Sequence, residues 1–254
     1  MAKIRPNLKN APIVEALIDF QFQSGSMPDL NSLKHVVSKL TECQYKQQGP
    51  IFQVWTNLSL NNEATPHTEV TEVTEREFGV RLISADEKFV LQVRLDGFTL
   101  SRLSPYESWG NLLDETTRLW KAFVASAGVT SVTRIATRFI NNLKLPMKNG
   151  DQFQSFLTKP PDVPEELPQT VLGFMQRMVI VNAELGIQAN VVQLLQDGVM
   201  ATDHVPVMLD IDVYKNVDTP PEHANLWNTL NQLRKFKNEI FFSHVTERTV
   251  ELFE

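Results

Sequence analysis

Three short alternating segments follow one another between residues 78 and 103, with only Ala85-Asp86-Glu87-Lys88 and then Asp96-Gly97 between them. Links that short admit only antiparallel pairing, because a parallel return needs a crossover of a dozen or so residues. Asp-Gly between alternating runs is in addition a strong hairpin signal. The spacing predicts strands over 78–84, 89–95 and 98–103. Their alternation places Phe78, Val80, Leu82, Phe89, Leu91, Val93, Phe98 and Leu100 on a core side. Arg81, Gln92, Arg94, Thr99 and Ser101 fall on the other.

A helix follows. Trp109, Leu112, Thr116, Leu119, Trp120 and Phe123 recur at helical spacing. Ser104 or Ser108 caps the start and Gly128 supplies a left-handed stop, which predicts a helix over about 106–126. Residues 132–145 then read as a strand with Arg134, Ala136, Arg138 and Ile140 on one face and Ile135, Thr137, Phe139 and Asn141 on the other. Upstream, 12–22 alternates as a strand. Leu30, Leu33, Val36, Val37, Leu40 and Cys43 mark a helix, a further strand follows Gly49-Pro50, and the Val- and Thr-rich run after Glu69 is extended. Downstream, a short helix is expected over 151–157, a stiff Pro-rich loop over 160–168 as lid or rim, and strands over 174–184, 187–196 and 206–214. A last helix begins near Glu222, with Leu226, Leu230, Leu233 and Phe236 or Lys237 on its stripe.

Strand, helix, antiparallel strands, helix is thus expected twice. The predicted class is α+β, with similar halves over 1–130 and 131–254 or one integrated domain. The sheets would form one curved sheet or two adjoining ones, with helices on one face.

Composition narrows the chemistry. A formal net charge of -6 argues against a protein whose main task is to coat nucleic-acid phosphates. A single cysteine, Cys43, excludes an internal disulfide framework and reads as core, and the scattered histidines contain no H-x-H or H-E-x-x-H. No G-x-S-x-G, G-x-G-x-x-G or G-x-x-x-x-G-K occurs. No apolar run approaches a spanning helix and the first residues show no signal region, so a soluble, cytoplasmic chain without metal or cofactor is expected.

Residues 8–16, LKNAPIVEA, together with Arg102-Leu103, Pro105-Tyr106, Trp109, Arg138-Phe139-Ile140-Asn141 and the closing run from Phe242 to Thr246, carry a resemblance. The chain resembles an uncharacterised, sporadically distributed bacterial protein family, from about residue 8 to its end. N-A-P-I-x-E and R-[FY]-I-N are the most specific marks, and Phe139 stands where Tyr is more usual. The resemblance implies bacterial proteins of this size and brings no activity with it.

The candidate recognition residues are Arg134 and Arg138, two guanidinium forks on one strand face able to grip a carboxylate or phosphate. Asn141 and Asn142 lie beside them, and Glu15, Arg102 and Tyr106 complete the set. The alternative is internal pairing of an arginine with Glu15 or Asp19 across the sheet. Arg138, between apolar neighbours, is expected to be buried and paired with a carboxylate such as Glu15, and Arg134 to be exposed. Asp210, Asp212 and Tyr214 share a strand face that suits a cation, a carboxylate pair or plain solvation. The expected function is a non-catalytic binding or regulatory module that uses an open sheet face or the groove between halves for a protein or small ligand. The alternative is an enzyme of unfamiliar type around Arg134, Arg138, Asn141 and a carboxylate. Unpaired sheet edges suggest a homodimer.

Overall fold

The alternating segments become nine strands of one sheet, all paired antiparallel, in the computed structural model. It describes residues 8–25, 29–41, 44–61, 67–148, 151–195 and 204–254. The strands are β1 (Ile13–Ser24), β2 (Tyr45–Asn61), β3 (His67–Ser84), β4 (Phe89–Arg94), β5 (Gly97–Leu103), β6 (Val129–Leu145), β7 (Phe174–Asn182), β8 (Ile187–Leu195) and β9 (Val205–Thr219). Their order is β2-β3-β4-β5-β1-β6-β9-β8-β7. The helices are α1 (Leu30–Thr41), α2 (Trp109–Ala127), α3 (Asn225–His244) and α4 (Glu247–Glu251). None of the described helices is long and apolar enough to cross a membrane.

β1 and β6 pair at the centre, Ala16 opposite Phe139, Ile18 opposite Thr137 and Phe20 opposite Ile135. With Phe98 and Leu100 of β5 and Leu209, Ile211 and Val213 of β9, these residues make the apolar face. α2 lies on that face through its aromatic stripe. The Trp120 ring stands 4.5 Å from Phe20 and 5.3 Å from Phe98, and Phe123 stands 5.4 Å from Phe22. Each such fully buried side chain contributes roughly 1.5–3 kcal/mol. α3 lies on the same face, with Trp227 edge-on to Phe20. Both buried indole N–H groups find acceptors, Trp120 on the Pro221 carbonyl at 3.0 Å and Trp109 on Asn231 Oδ1 at 2.9 Å, which ties α2 to α3 and the loop before it.

Of the two cap candidates α2 uses Ser108, so it begins at Trp109 and not near residue 106, and it ends before Gly128 as expected. Ser108 Oγ accepts from the Asn111 N–H, and Gly128 takes φ 56°. Three segments depart from expectation. β2 begins at Tyr45 and runs through Gly49-Pro50, with a register shift after Gln47, which an edge strand tolerates because proline's missing donor is not needed on the outer side. The helix expected over 151–157 is a single 3-10 turn at Phe153–Ser155, too short to repay helix nucleation. α4 was not foreseen. It is capped by Thr246, and the Thr249 hydroxyl donates to the Phe156 carbonyl. The 160–168 loop lines neither of the two cavities described below. Cys43 lies outside the described residues.

Candidate functional site

Alternation sends two different chemistries to the two faces of the central strands. On the polar face, Asp19 of β1 is the hub: its carboxylate accepts from Arg94 Nη2 at 2.9 Å, Thr99 Oγ1 at 2.6 Å and Arg134 Nη1 at 3.1 Å. Arg94 reaches it by lying across Gly97, where a side chain would overlap the guanidinium. Arg134 continues to Asp212 at 3.2 Å and stacks on Tyr214, 4.4 Å from the ring centroid. Arg138 makes a two-pronged pair with Asp210, its Nε at 2.8 Å and its Nη2 on the other oxygen. Burial pushes the Asp212 carboxyl above the usual range although Arg134 and Arg138 pull it down.

This reverses the expectation for the two arginines. Arg138 is the more open, its side chain 42% exposed, and it pairs with Asp210 and not with Glu15. Arg134 is 20% exposed and bridges two carboxylates. Flanking apolar residues misled because Phe139 points to the opposite face, so it says nothing of Arg138's surroundings. Arg134→Ala is therefore expected to destabilise more than Arg138→Ala, by about 1–2 kcal/mol, since the guanidinium it removes is better buried and bridges two carboxylates. Urea unfolding of the two variants measures this, and a larger loss for Arg138→Ala would reverse the assignment.

The remaining sequence candidates separate. Glu15 is half-buried on the polar face opposite Ile140, and Asn142 is half-buried opposite Met208. Arg102 is fully buried, donates to Glu107 at 2.7 Å and to the Leu103 and Lys88 carbonyls, and lies over the Phe89 ring. It is enclosed and not open to a ligand. Arg81, Arg94, Arg134 and Arg138 do share the polar face, but Asp19, Asp210 and Asp212 interleave with the last three. Asp210 and Asp212 are thus held by arginine, and no group of metal-ligating side chains gathers among the described residues.

Asn141 faces the other way. Together with Phe139 it forms the floor of a cavity of about 270 Å³. The turn before α2 contributes Tyr106 and Glu107, α2 itself Trp109, α3 Arg234, Lys237 and Asn238, and the N-terminal segment Lys9 and Pro12. That segment is pinned as a wall: the Asn10 N–H donates to the Phe253 carbonyl at 3.0 Å, and the Asn142 N–H donates to the Pro12 carbonyl at 2.8 Å. The Asn141 amide is committed to the Leu209 carbonyl at 2.9 Å, so it shapes the floor. Tyr106 stands edge-on to Phe139, and burial pushes its hydroxyl up to about 12.

Lys237 was legible in the sequence only as a possible member of the α3 stripe, and no role was assigned to it. It is 7% exposed and lines the cavity, with Nζ 3.7 Å from the centroid of the Phe139 ring. Its amine makes no hydrogen bond or ion pair among the described residues. Burial, aided by the neighbouring Arg234 charge, pushes it down from 10.5 to about 7. The signal for finding it was a lysine on the buried stripe Leu226, Leu230, Leu233, Lys237, Ile240. A second hollow, of about 290 Å³ between Trp120, Val124, Pro221 and Trp227, has charged groups only in Lys121 and Glu222.

One pocket therefore joins exposed cations, aromatic walls and an amine without a hydrogen-bond or ion-pair partner among the described residues, while the sheet keeps Arg134 and Arg138 on its far side, away from Asn141. Against known proteins the chain matches no family model and no curated sequence, and these residues carry the functional reading.

Proposed function

We propose that the chain is a binding or regulatory protein that takes a small anionic ligand into the cavity beside α3. The observation that carries this is Lys237, a nine-tenths buried residue whose amine reaches the cavity and has no hydrogen-bond or ion-pair partner among the described residues. A buried polar group is ordinarily paired, and one that is not faces a functional explanation. Exposed Lys9 and Arg234 line the same cavity and give it lasting positive charge. Glu107, the acid among the lining residues, is held by Arg102 and Lys88. Aromatic side chains, Tyr106, Trp109 and Phe139, stand beside these polar groups, and convergent polar groups against ring faces suit an anion that carries an aromatic ring.

The same reading treats the cavity as the groove between related halves. β1 and β6 lie side by side, and each is flanked outside by the last strand of its own meander, β5 and β9. Helices on one face of such a pair leave a cleft between them.

Benzoate and phenylphosphate, an aromatic carboxylate and an aromatic phosphate, are suitable probes. At least one is expected to bind wild-type protein saturably by calorimetry and to raise its melting temperature. Arg234→Met should weaken binding about tenfold or more, the loss of one charge-assisted contact of 1.5–3 kcal/mol. Binding that neither probe shows, or that Arg234→Met and Lys237→Met leave unchanged, would sink the proposal.

A further inference from the structure

We infer that the ligand of this cavity carries an aldehyde or ketone beside its anionic group, and that the Lys237 amine captures it as a reversible imine. The inference rests on the anion-binding reading above and names the substrate class of the same site.

Three features of the geometry point this way. Nζ lies at the cavity surface over the Phe139 ring, 3.7 Å from its centroid, with no hydrogen-bond or ion-pair partner among the described residues. An amine meant only to attract charge would serve better at the rim, where Lys9 and Arg234 already stand exposed. Burial against an aromatic ring beside a second cation is an arrangement that makes a lysine nucleophilic at neutral pH. The depressed amine is consistent with this. The ring's attraction for the cation works against the shift.

The step balances without any further reagent. The Nζ lone pair attacks the carbonyl carbon, a C–N bond forms, and the C=O π electrons move to oxygen, which takes up a proton. The carbinolamine then loses its hydroxyl as water, one proton leaves nitrogen, and the C=N bond closes. Amine and carbonyl give imine and water, and Arg234 is placed to hold the ligand's anion.

Phenylglyoxylate is a direct probe, since it combines an aromatic ring, a carboxylate and a ketone. Incubation of the full chain with it at pH 7.5, followed by sodium borohydride, should leave a secondary-amine adduct. Peptide mapping should place it on Lys237 at least about tenfold faster than on any other lysine, because far more of this amine is neutral at that pH. Benzoate should compete, and Lys237→Arg should abolish the adduct while keeping the circular dichroism of the parent. Should that variant fail to fold, benzoate competition on the wild-type chain decides alone. Modification spread evenly over surface lysines, or an adduct on Lys237 that benzoate does not slow, overturns the inference. If benzoate binds and no adduct forms, the carbonyl chemistry is wrong and the anion site stands. If neither probe engages the cavity, both readings fall.

Discussion

Asp19→Ala is expected to lower the unfolding free energy by about 3–5 kcal/mol, because it breaks a buried ionic cluster on one side. The Asp19 carboxylate is 11% exposed and faces guanidinium groups that are each 20% exposed. Its removal strands Arg94, whose other acid, Asp96, is 3.9 Å away and mostly in solvent. Arg134 keeps Asp212, and Thr99 loses its acceptor. Asp19→Asn should cost nearly as much, since the amide keeps the shape but turns a donor toward a cation. Coupling should be visible in a double-mutant cycle: Asp19→Ala with Arg134→Ala should fall short of the summed single losses by about 1–3 kcal/mol. Urea denaturation of the four proteins measures this. A single-variant loss below about 1 kcal/mol would mean that water reaches the cluster freely.

Lys237→Met should act in the opposite direction and make the protein more stable, most of all at low pH. A base whose folded pKa lies below its unfolded value releases its proton on folding. Between about 7 and 10.5 the unfolded chain therefore binds more protons, so the wild-type protein gains stability from this residue as pH rises through that window. Below about pH 7 the full cost of burying the cation, or of discharging it, is present. Methionine has similar length and no charge, so its gain should be on the order of 2–4 kcal/mol at pH 6 and fade above pH 10. The charged and titratable groups facing the amine are Arg234 on its own helix, Glu107 and Tyr106 before α2, and Lys9 on the N-terminal wall, while β6 offers only Phe139 and Asn141. The ring's attraction for the cation opposes the shift, so the measured gain is net of it. Melting curves of both proteins from pH 6 to pH 10 should converge as pH rises. Parallel curves would show that Lys237 titrates as an ordinary lysine. A site that sacrifices stability in this way is consistent with an amine kept for binding.

Much of this protein is local, and what is local can be read from the chain. Side-chain alternation has period two, so the faces taken by Arg134, Arg138, Phe139 and Asn141 followed from their spacing. The end of α2 followed from Gly128, a local left-handed stop, while the choice of Ser108 over Ser104 as its cap was left open by the chain. The hairpin at Asp96-Gly97 was likewise set by short links. What the tertiary structure decided depends on residues far apart in sequence. That β1 and β6 meet at the centre and join all nine strands in one sheet is a matter of long-range pairing that no local period encodes. Which acid each arginine takes follows from that strand order, since Asp19 reaches Arg134 only across the β1–β6 seam. Lys237 acquired its unusual chemistry for the same reason: the lysine becomes buried only when Phe139, Tyr106 and the pinned N-terminal segment close around it, and desolvation is a property of that assembled cavity rather than of the helix that carries it.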